Sequence, residues 1–591
     1  MCLDDPQQIR LLLIGGSGVG KSTWINAFAN YCSFESLDAA ERFEGWFPIP
    51  STFELTDPQT GKMISISSEC SGLTPISDVA EVGESATQNP NEYVFQYGNT
   101  QIILIDTPGL LDTKDAGTSE HDKDKDHVSN ILRSLSAYEK IHAICIVLKA
   151  NETRLNDTFK YTLSEILKRL DKNAINNVIF IFSNSASTNF KISKTQAILQ
   201  TFLSESNLQI PLPPEKPTIY CFENDTVQYL AERKNNITPG EDDKENATKS
   251  WRKSAESTAQ MIHYVCSLDA LSLDGIKAIY NAECTISILS DLVLDTLMCI
   301  FRDTKKLEQK KTEADKLKTA ILKNPNEFAQ YDLRRLLHVT ESKVVRVPLG
   351  HTNIVCEGPK CARYVNGEIV YPQICVEACN DRWMYFSKHM TGWFWVKCSH
   401  CGCNKGEHEW RTTKTEIVTE TKQDDSVVAK IVDSNSALEK ISETIEECED
   451  RVSMWQDEAE QMLNICAQLN NFVLRNTLME RFGADSLTKI LQTKIGTYAR
   501  LRKYSEVKEL RRITNQYNAF LAENRHCKPN DVHKLIQQLY RLPMKGKDLR
   551  RAVEQEEKAR SSAVVGTKSN QVLYLPEFAC KVLSKFKPIS S

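Results

Sequence analysis

The 591-residue chain lacks a surplus of either charge. Its 73 Lys and Arg face 78 Asp and Glu, a net charge of −5, so it is not built along its whole length to coat a polyanion. Met1-Cys2-Leu3-Asp4-Asp5 is acidic, with no basic n-region and no small-residue cleavage site, so a secretory leader is not expected. A long unbroken apolar run is missing too. The longest candidate, Cys284 to Phe301, is interrupted by Asp291 and Asp295, and two carboxylates at bilayer depth are costly, so a buried helix face is the better reading. The end of the sequence, Lys587 to Ser591, offers neither a prenylation box nor a hydrophobic tail. Collagen-like and low-complexity tracts are absent, and 41% hydrophobic with 26% charged residues excludes wholesale disorder. At roughly 150 residues per domain, the length suggests about four domains. The expectation is a soluble cytoplasmic protein whose 19 cysteines are thiols or metal ligands, not disulfides.

What is present begins with a phosphate-binding pattern. Arg10 to Ile14 is a short apolar run suited to a buried parallel strand. It feeds into Gly15-Gly16-Ser17-Gly18-Val19-Gly20-Lys21-Ser22, followed by the helical Thr23 to Ala29. This is G-x-x-x-x-G-K-S between a strand and a helix, the context that gives the motif a mechanism. Glycines let backbone N–H groups wrap a phosphate chain, and the helix adds its positive end. Lys21 is placed to neutralise β- and γ-phosphate oxygens, and Ser22 to ligate Mg²⁺, with Thr23 beside it.

Tyr93–Tyr97 and Thr100–Ile105 read as two strands joined by the two-residue turn Gly98-Asn99. The second ends in Asp106-Thr107-Pro108-Gly109, and a D-x-x-G at a strand's carboxyl end sits beside the phosphate loop of an open α/β sheet. Asp106 is assigned to the Mg²⁺ shell and the Gly109 N–H to the γ-phosphate. Upstream, Thr87 within the polar segment Gly83 to Gln88 is the candidate switch threonine that closes over Mg²⁺, with Thr74 as competitor. The densely charged stretch Asp112–His127 is read as a second switch.

Together these residues resemble the septin-like branch of P-loop GTPases, especially the immune-associated nucleotide-binding (GIMAP) and chloroplast-import-receptor group. The resemblance extends over approximately residues 8 to 270, including the strands His142–Leu148 and Asn177–Phe182. It implies an α/β P-loop NTPase domain with a mainly parallel sheet, using GTP and Mg²⁺. Two positions depart from the wider class. The strand ending at Phe182 is followed by Ser183-Asn184-Ser185-Ala186-Ser187-Thr188, without the Lys and Asp of [NT]-K-x-D. The GIMAP group also departs there and uses a later Asn, so Asn184 and Asn224 are both candidates for the guanine edge. After Gly109 stands Leu110 instead of the water-orienting Gln of Ras-like enzymes. Slow hydrolysis, accelerated by self-association or a partner, is the resulting expectation. A non-hydrolysing scaffold and an ATPase are the alternatives.

Seven cysteines fall within 48 residues: Cys356, Cys361, Cys375, Cys379, Cys398, Cys401 and Cys403, with His400 and His408 close by. Pairs two to four residues apart on tight turns supply the soft ligands zinc needs. Few aliphatics lie between them, although Trp383, Tyr385, Phe386, Trp393, Phe394 and Trp395 add bulk. A module of this size normally needs a metal staple. Nothing resembles H-E-x-x-H, so the zinc is expected to be structural. The local charge is balanced, so protein recognition is favoured over nucleic acid.

The remaining chain reads as helical. The seam Leu438, Ile441, Ile445, Cys448, Val452, Trp455, Ala459, Met462, Cys466, Leu469 steps by three and four. Its partner is expected within the chain, at 279–320, or in a second copy. A locally basic stretch near 500–560 reads as solvated helix surface, with weak contact to an anionic membrane surface as the alternative. Residues 234–250 read as a polar linker and 561–571 as loose. The expected segments are 1–270 (nucleotide domain), 271–343 (helical stalk), 344–415 (zinc-stapled module) and 416–591 (helical region with the seam at 438–469). Protein partners, including a second copy of the chain, are expected to meet the helical and zinc regions.

Overall fold

Strand β1 (Gln7–Gly15) is buried without a break from Leu11 to Gly15, as a parallel strand covered on both faces must be. The computed structural model describes residues 7–56, 63–68, 73–75, 91–97, 100–107, 109, 138–150, 160, 163–164, 166–323, 339–356, 360–361, 363–365, 368–370, 374–376, 390–391, 397–398, 400–403, 408–422, 434–479, 485–523, 527–561 and 568–574. These form two units. One comprises Met1–Tyr280, Leu474–Arg481 and Glu557–Ser591; the other comprises Asn281–Val473 and Phe482–Glu556.

In the first unit β1 is joined by β2 (Asn91–Tyr97), β3 (Thr100–Asp106), β4 (Ala143–Lys149), β5 (Val178–Ser183) and β6 (Ile219–Cys221). The sheet order is β6-β5-β4-β1-β3-β2, with Lys568–Tyr574 outermost. The pairs β1–β3, β1–β4, β4–β5 and β5–β6 are parallel. Strands β2 and β3 form the expected hairpin, with Tyr97 opposite Thr100. Side chains alternate between two cores, as a period of two requires. Leu12, Ile14, Ile103, Ile105 and Phe180 face one; Leu11, Leu13, Leu104, Val147 and Ile181 face the other.

Helices cover both faces. Helix α1 (Lys21–Ser33) contributes Trp24, Ile25 and Phe28 to the second core, and α2 (Ser193–Glu205) contributes Leu199 and Phe202 to the first. Two buried asparagines on α1 hold the chain beyond it. Asn26 Nδ2 donates to Ile49 O at 2.8 Å while its Oδ1 accepts from Ile49 N at 2.9 Å, and Asn30 treats Trp46 in the same way. After α3 (Asp225–Lys234) comes α4 (Glu241–Cys266), so the stretch expected as a linker is mostly helix. The charges misled the reading. Glu241, Asp242 and Asp243 occupy the first turn, where they suit the helix dipole, and the Asp243 carboxylate accepts from the Gly240 N–H at 3.1 Å. Ala247, Ser250 and Trp251 give that helix its buried face.

In the second unit, α5 (Asp274–Lys323) and α6 (Ser434–Asn476) meet along the seam seen in the sequence. Leu438, Ile441 and Ile445 pack on Ala314, Leu317 and Ile321, and Lys311 pairs with Glu449. The helices therefore run antiparallel within one chain over this stretch. Among the described residues, α5 is the one helix long and apolar enough to cross a membrane by length and composition, and 76% of its most apolar window is buried inside the protein. Four more helices follow: α7 (Ser486–Arg500), α8 (Tyr504–Glu523), α9 (Pro529–Tyr540) and α10 (Gly546–Ser561). Fully buried Tyr517 accepts from Asn470 Nδ2 at 2.6 Å and donates to Asp485 at 3.2 Å, so its hydroxyl is satisfied.

The cysteine-rich module is built on a long antiparallel ribbon of β7 (Val339–Cys356) and β10 (His408–Lys422). Its register runs from Val339 opposite Lys422 to Cys356 opposite His408, with an irregularity between Pro348 and Asn353. β8 (Ile374–Val376) pairs with the other edge of β7, and β9 (Lys397–Cys398) precedes the last cysteines. The ribbon thus begins before residue 344 and ends after 415, the limits expected from composition. Lys568–Tyr574, within the tail expected to be helical and loose, is a strand parallel to β2.

His142 joins β1 to the strands beside it. Its N–H donates to Arg10 O at 2.8 Å and its Nδ1 accepts from the Arg10 N–H at 3.2 Å. Burial, then the Arg10 and Lys140 charges, hold His142 below its ordinary titration range. A depressed imidazole stabilises the fold above its unfolded value of about 6.5 and loses that contribution as the pH falls through the folded value. Thermal unfolding at pH 7.5 and 5.5 is expected to show acid destabilisation that is smaller in His142→Gln; an unchanged pH dependence in the variant would refute this assignment.

Candidate functional site

The carboxyl ends of β1, β3, β4, β5 and β6 share one edge of the sheet, with β1 at the point where the strand order reverses. Open α/β sheets bind their ligands at such a point. The loop leaving β1 is shaped by its glycines. Gly18 and Gly20 have φ of +68° and +92°, values that non-glycine residues adopt only at a cost. A Cβ on Gly15 would lie 2.6 Å from Val147 O. Gly20 caps α1, so the amides of the loop and of the helix start point at one space.

Polar side chains converge on that space. Lys21, only 6% exposed, donates from Nζ to Gly15 O at 3.1 Å and Gly16 O at 3.0 Å, which folds its ammonium back across the loop. Ser22 Oγ donates to Asp106 Oδ2 at 2.8 Å. A hydroxyl and a carboxylate in contact at a helix start form a hard-oxygen pair of the kind Mg²⁺ takes. Asp106 is fully buried at the end of β3, and next to it Thr107 Oγ1 donates to Leu13 O at 2.7 Å. Gly109 lies against the loop so closely that a Cβ there would be 2.6 Å from Ser17 Cα. Gly15, Gly16, Ser17, Gly18, Val19, Gly20, Lys21 and Ser22 thus lie beside Asp106 and Gly109, and Thr23 follows within α1. Thr87, its segment 83–88 and the stretch 112–127 lie outside the described residues. Thr74 sits in a small separate sheet, opposite Ser65.

The two asparagine candidates occupy adjacent strand ends in different environments. Asn184 is exposed and left-handed at φ +54°. Asn224 is buried, and its Nδ2 donates to Gly20 O at 3.4 Å. Reading the sequence missed the residues that join these loops. Ser183 Oγ donates to Val19 O at 2.7 Å. The Glu223 carboxylate accepts from the Ala186 N–H at 2.8 Å and the Asn224 N–H at 3.0 Å, clamping the loop that carries Asn184 to the one that carries Asn224. Burial, then the neighbouring Glu223 charge, push Asp225 up to about 6, and Ser250 Oγ donates to it at 2.9 Å. A lone acid with no motif around it leaves no signal to find.

In the second unit the described cysteines between Cys356 and Cys403 gather into two groups. Cys356, Cys361, Cys401 and Cys403 form one, and Cys375, Cys398, Cys401 and His408 the other; within each group all ligand atoms lie within 4.8 Å of one another. No disulfide joins any described cysteine. Such sets could hold a metal ion. Cys379 lies outside the described residues, and His400 is exposed and in neither group.

Residues 79–225 match the AIG1 family model. Solved structures with a similar chain trace include Toc33 from Arabidopsis thaliana in complex with GDP and Mg²⁺ (14% identity, TM-score 0.22, covering 39% of this chain and 86% of that one). Nucleolar GTP-binding protein 1 from Plasmodium falciparum follows at 12% identity and TM-score 0.18, covering 44% and 93%. The FeoB G-domain from Methanococcus jannaschii stands at 14% and 0.17, covering 38% and 91%. No curated protein matches the chain. The first unit thus contains a stretch similar to the AIG1 family within an α/β fold with a mainly parallel sheet, and the match takes in the D-x-x-G and the later strands while the loop at 15–22 lies outside it.

The glycine geometry is testable without any ligand. Gly15→Ala forces a contact at 2.6 Å with the Val147 carbonyl and is expected to destabilise the first unit by about 1–3 kcal/mol. Chemical denaturation of the full chain measures it, and stability equal to wild type would show that the loop is not held against β4.

Proposed function

We propose that the first unit is a guanine-nucleotide switch that binds GTP with Mg²⁺ and hydrolyses it slowly. The observation that carries this reading is the 2.8 Å contact of Ser22 with Asp106 at the start of α1, beside Lys21, with Gly109 against Ser17 of the same loop. The backbone amides of Gly15–Ser22 hold the phosphates, and Lys21 neutralises the β- and γ-oxygens. Ser22, Asp106 and Thr87 hold the cation. The Gly109 N–H registers the γ-phosphate, and Asn184 or Asn224 faces the base. Mg²⁺ supplies charge neutralisation at the transferring phosphoryl group. Leu110 cannot orient water, so turnover waits on self-association or a protein partner reaching the helical and cysteine-rich regions. The cysteine-rich module is a structural zinc staple, and the protein works in the reducing cytoplasm.

The reading predicts GTP turnover by the isolated chain far below the ~1–100 s⁻¹ of kinases, abolished in Lys21→Ala and rising with protein concentration. Phosphate release measured on both proteins decides it. Equal release by wild type and variant would favour a non-hydrolysing scaffold, a reading that the absence of glutamine at position 110 also supports. Faster turnover of ATP than of GTP would replace the guanine assignment.

A further inference from the structure

Most of the described side chains at the buried centre of the cysteine-rich module are thiols. Among the described residues it comprises Ile354 and six cysteines: Cys356, Cys375, Cys398 and Cys403 buried, Cys361 and Cys401 partly so. Their arrangement is that of metal ligands. Four ligands around one zinc, each sulfur at about 2.3 Å, place their sulfurs about 3.8 Å apart. Cys361 and Cys403 have their sulfurs 3.8 Å apart. Cys401 Sγ and His408 Nε2 are 3.3 Å apart, close to the slightly shorter edge that sulfur and nitrogen share.

The two edges belong to different groups, and Cys401 belongs to both. One group takes Cys356 from the end of β7, Cys361 from the turn after it, and Cys403. The other takes Cys375 from β8, Cys398 from β9, and His408 from the start of β10. Cys401 lies in the tight turn between Cys398 and Cys403, where Gly402 N donates to Cys398 O at 2.8 Å, Cys398 N donates to Cys403 O at 2.9 Å, and Gly402 adopts φ +69°. Among the described donors, the three sulfurs this turn presents in six residues are one more than either group needs and one fewer than two separate groups need. Seven described donors around a single ion would leave three buried ligands unused. Two ions with one donor in common use all seven and give each ion four ligands.

We propose that the module holds two zinc ions bridged by the Cys401 thiolate: one bound by Cys356, Cys361 and Cys403, the other by Cys375, Cys398 and His408. This rests on the zinc reading of the module and adds its stoichiometry and ligand sets. Binding is not a redox step; each cysteine loses its proton as it ligates. The pair closes the base of the ribbon, because Cys356 and His408 stand opposite each other in register and go to different ions. It also fastens β8 and β9 to the same point. Cys398 and Cys403, on either side of Cys401 in the same turn, thereby serve different ions.

Native mass spectrometry and zinc X-ray absorption of the full, metal-replete chain test this. The expected result is two ions per chain in a mostly sulfur shell, with zinc–zinc scattering within about 4.6 Å, the limit for two ions sharing one sulfur at about 2.3 Å. Cys356→Ser and Cys375→Ser should each retain one ion, and Cys401→Ser should lose both to a chelator at concentrations at least about tenfold lower. One ion per chain, two ions without zinc–zinc scattering, or loss of one ion alone in Cys401→Ser would overturn it. The wild-type count and absorption spectrum decide the matter even if a variant fails to fold. A chain without zinc would remove the staple reading altogether, and GTP binding by the same sample reports separately on the switch.

Discussion

The first unit depends on how a fully buried strand hands its chain to a helix. β1 lies at the centre of the sheet with both faces covered, so its last residues have no solvent to turn into. Gly15 passes under the Val147 carbonyl with no room for a side chain, and Gly18 and Gly20 take the left-handed turns that bring α1 back over the sheet. The same constraint that lets the chain leave the core leaves a ring of amides pointing outward. Gly109 then approaches Ser17 at a distance only a glycine allows. Asp106, Ser22 and Lys21 take their places because the strand ends and the helix start place them there. The chemistry of the site is thus a consequence of the topology at one strand end.

Much of this was legible in the sequence, for a physical reason. The loop and the D-x-x-G are contiguous, and their glycines are demanded by local backbone geometry, so they can be read one segment at a time. The seam of α6 was legible because helical packing leaves a period of three and four: Leu438, Ile441 and Ile445 do pack on α5. What escaped reading depends on distant partners. Glu223 matters because the Ala186 and Asn224 amides reach it, a relation no spacing records. The acidic start of α4 looked like linker because Glu241 to Asp243 stabilise a helix by charge, not by periodicity.

The cysteine-rich module shows the same limit in another form. Spacing in the sequence couples neighbours, Cys356 with Cys361 and Cys398 with Cys401. Space adds a second relation, because the ribbon puts the start of β10 opposite the end of β7 and so brings His408 to cysteines that precede it by up to 33 residues. The donors were identifiable from their types and density alone. Their division into groups required the register of the strands. Which residues are candidate donors is therefore a sequence property, while the place of Cys401 in both groups belongs to the fold.

The outer edge of the first unit's sheet is closed by the chain itself. Strand β2 pairs with β3 on one side, and on the other it would expose a row of backbone donors and acceptors. The chain covers that row with Lys568–Tyr574, which pairs Val572, Leu573 and Tyr574 with Val94, Phe95 and Gln96. Phe95 is fully buried and in contact with Phe28 of α1, their ring centroids 4.9 Å apart. The tail therefore caps a strand whose side chains reach the helix that begins at Lys21. The opposite edge, β6, needs no such cover, since it is only three residues long. A sheet made almost entirely from the first half of the chain is thus completed by a strand at residues 568–574. The N-terminal domain, taken by its sequence boundaries, is one strand short of the sheet that holds the site.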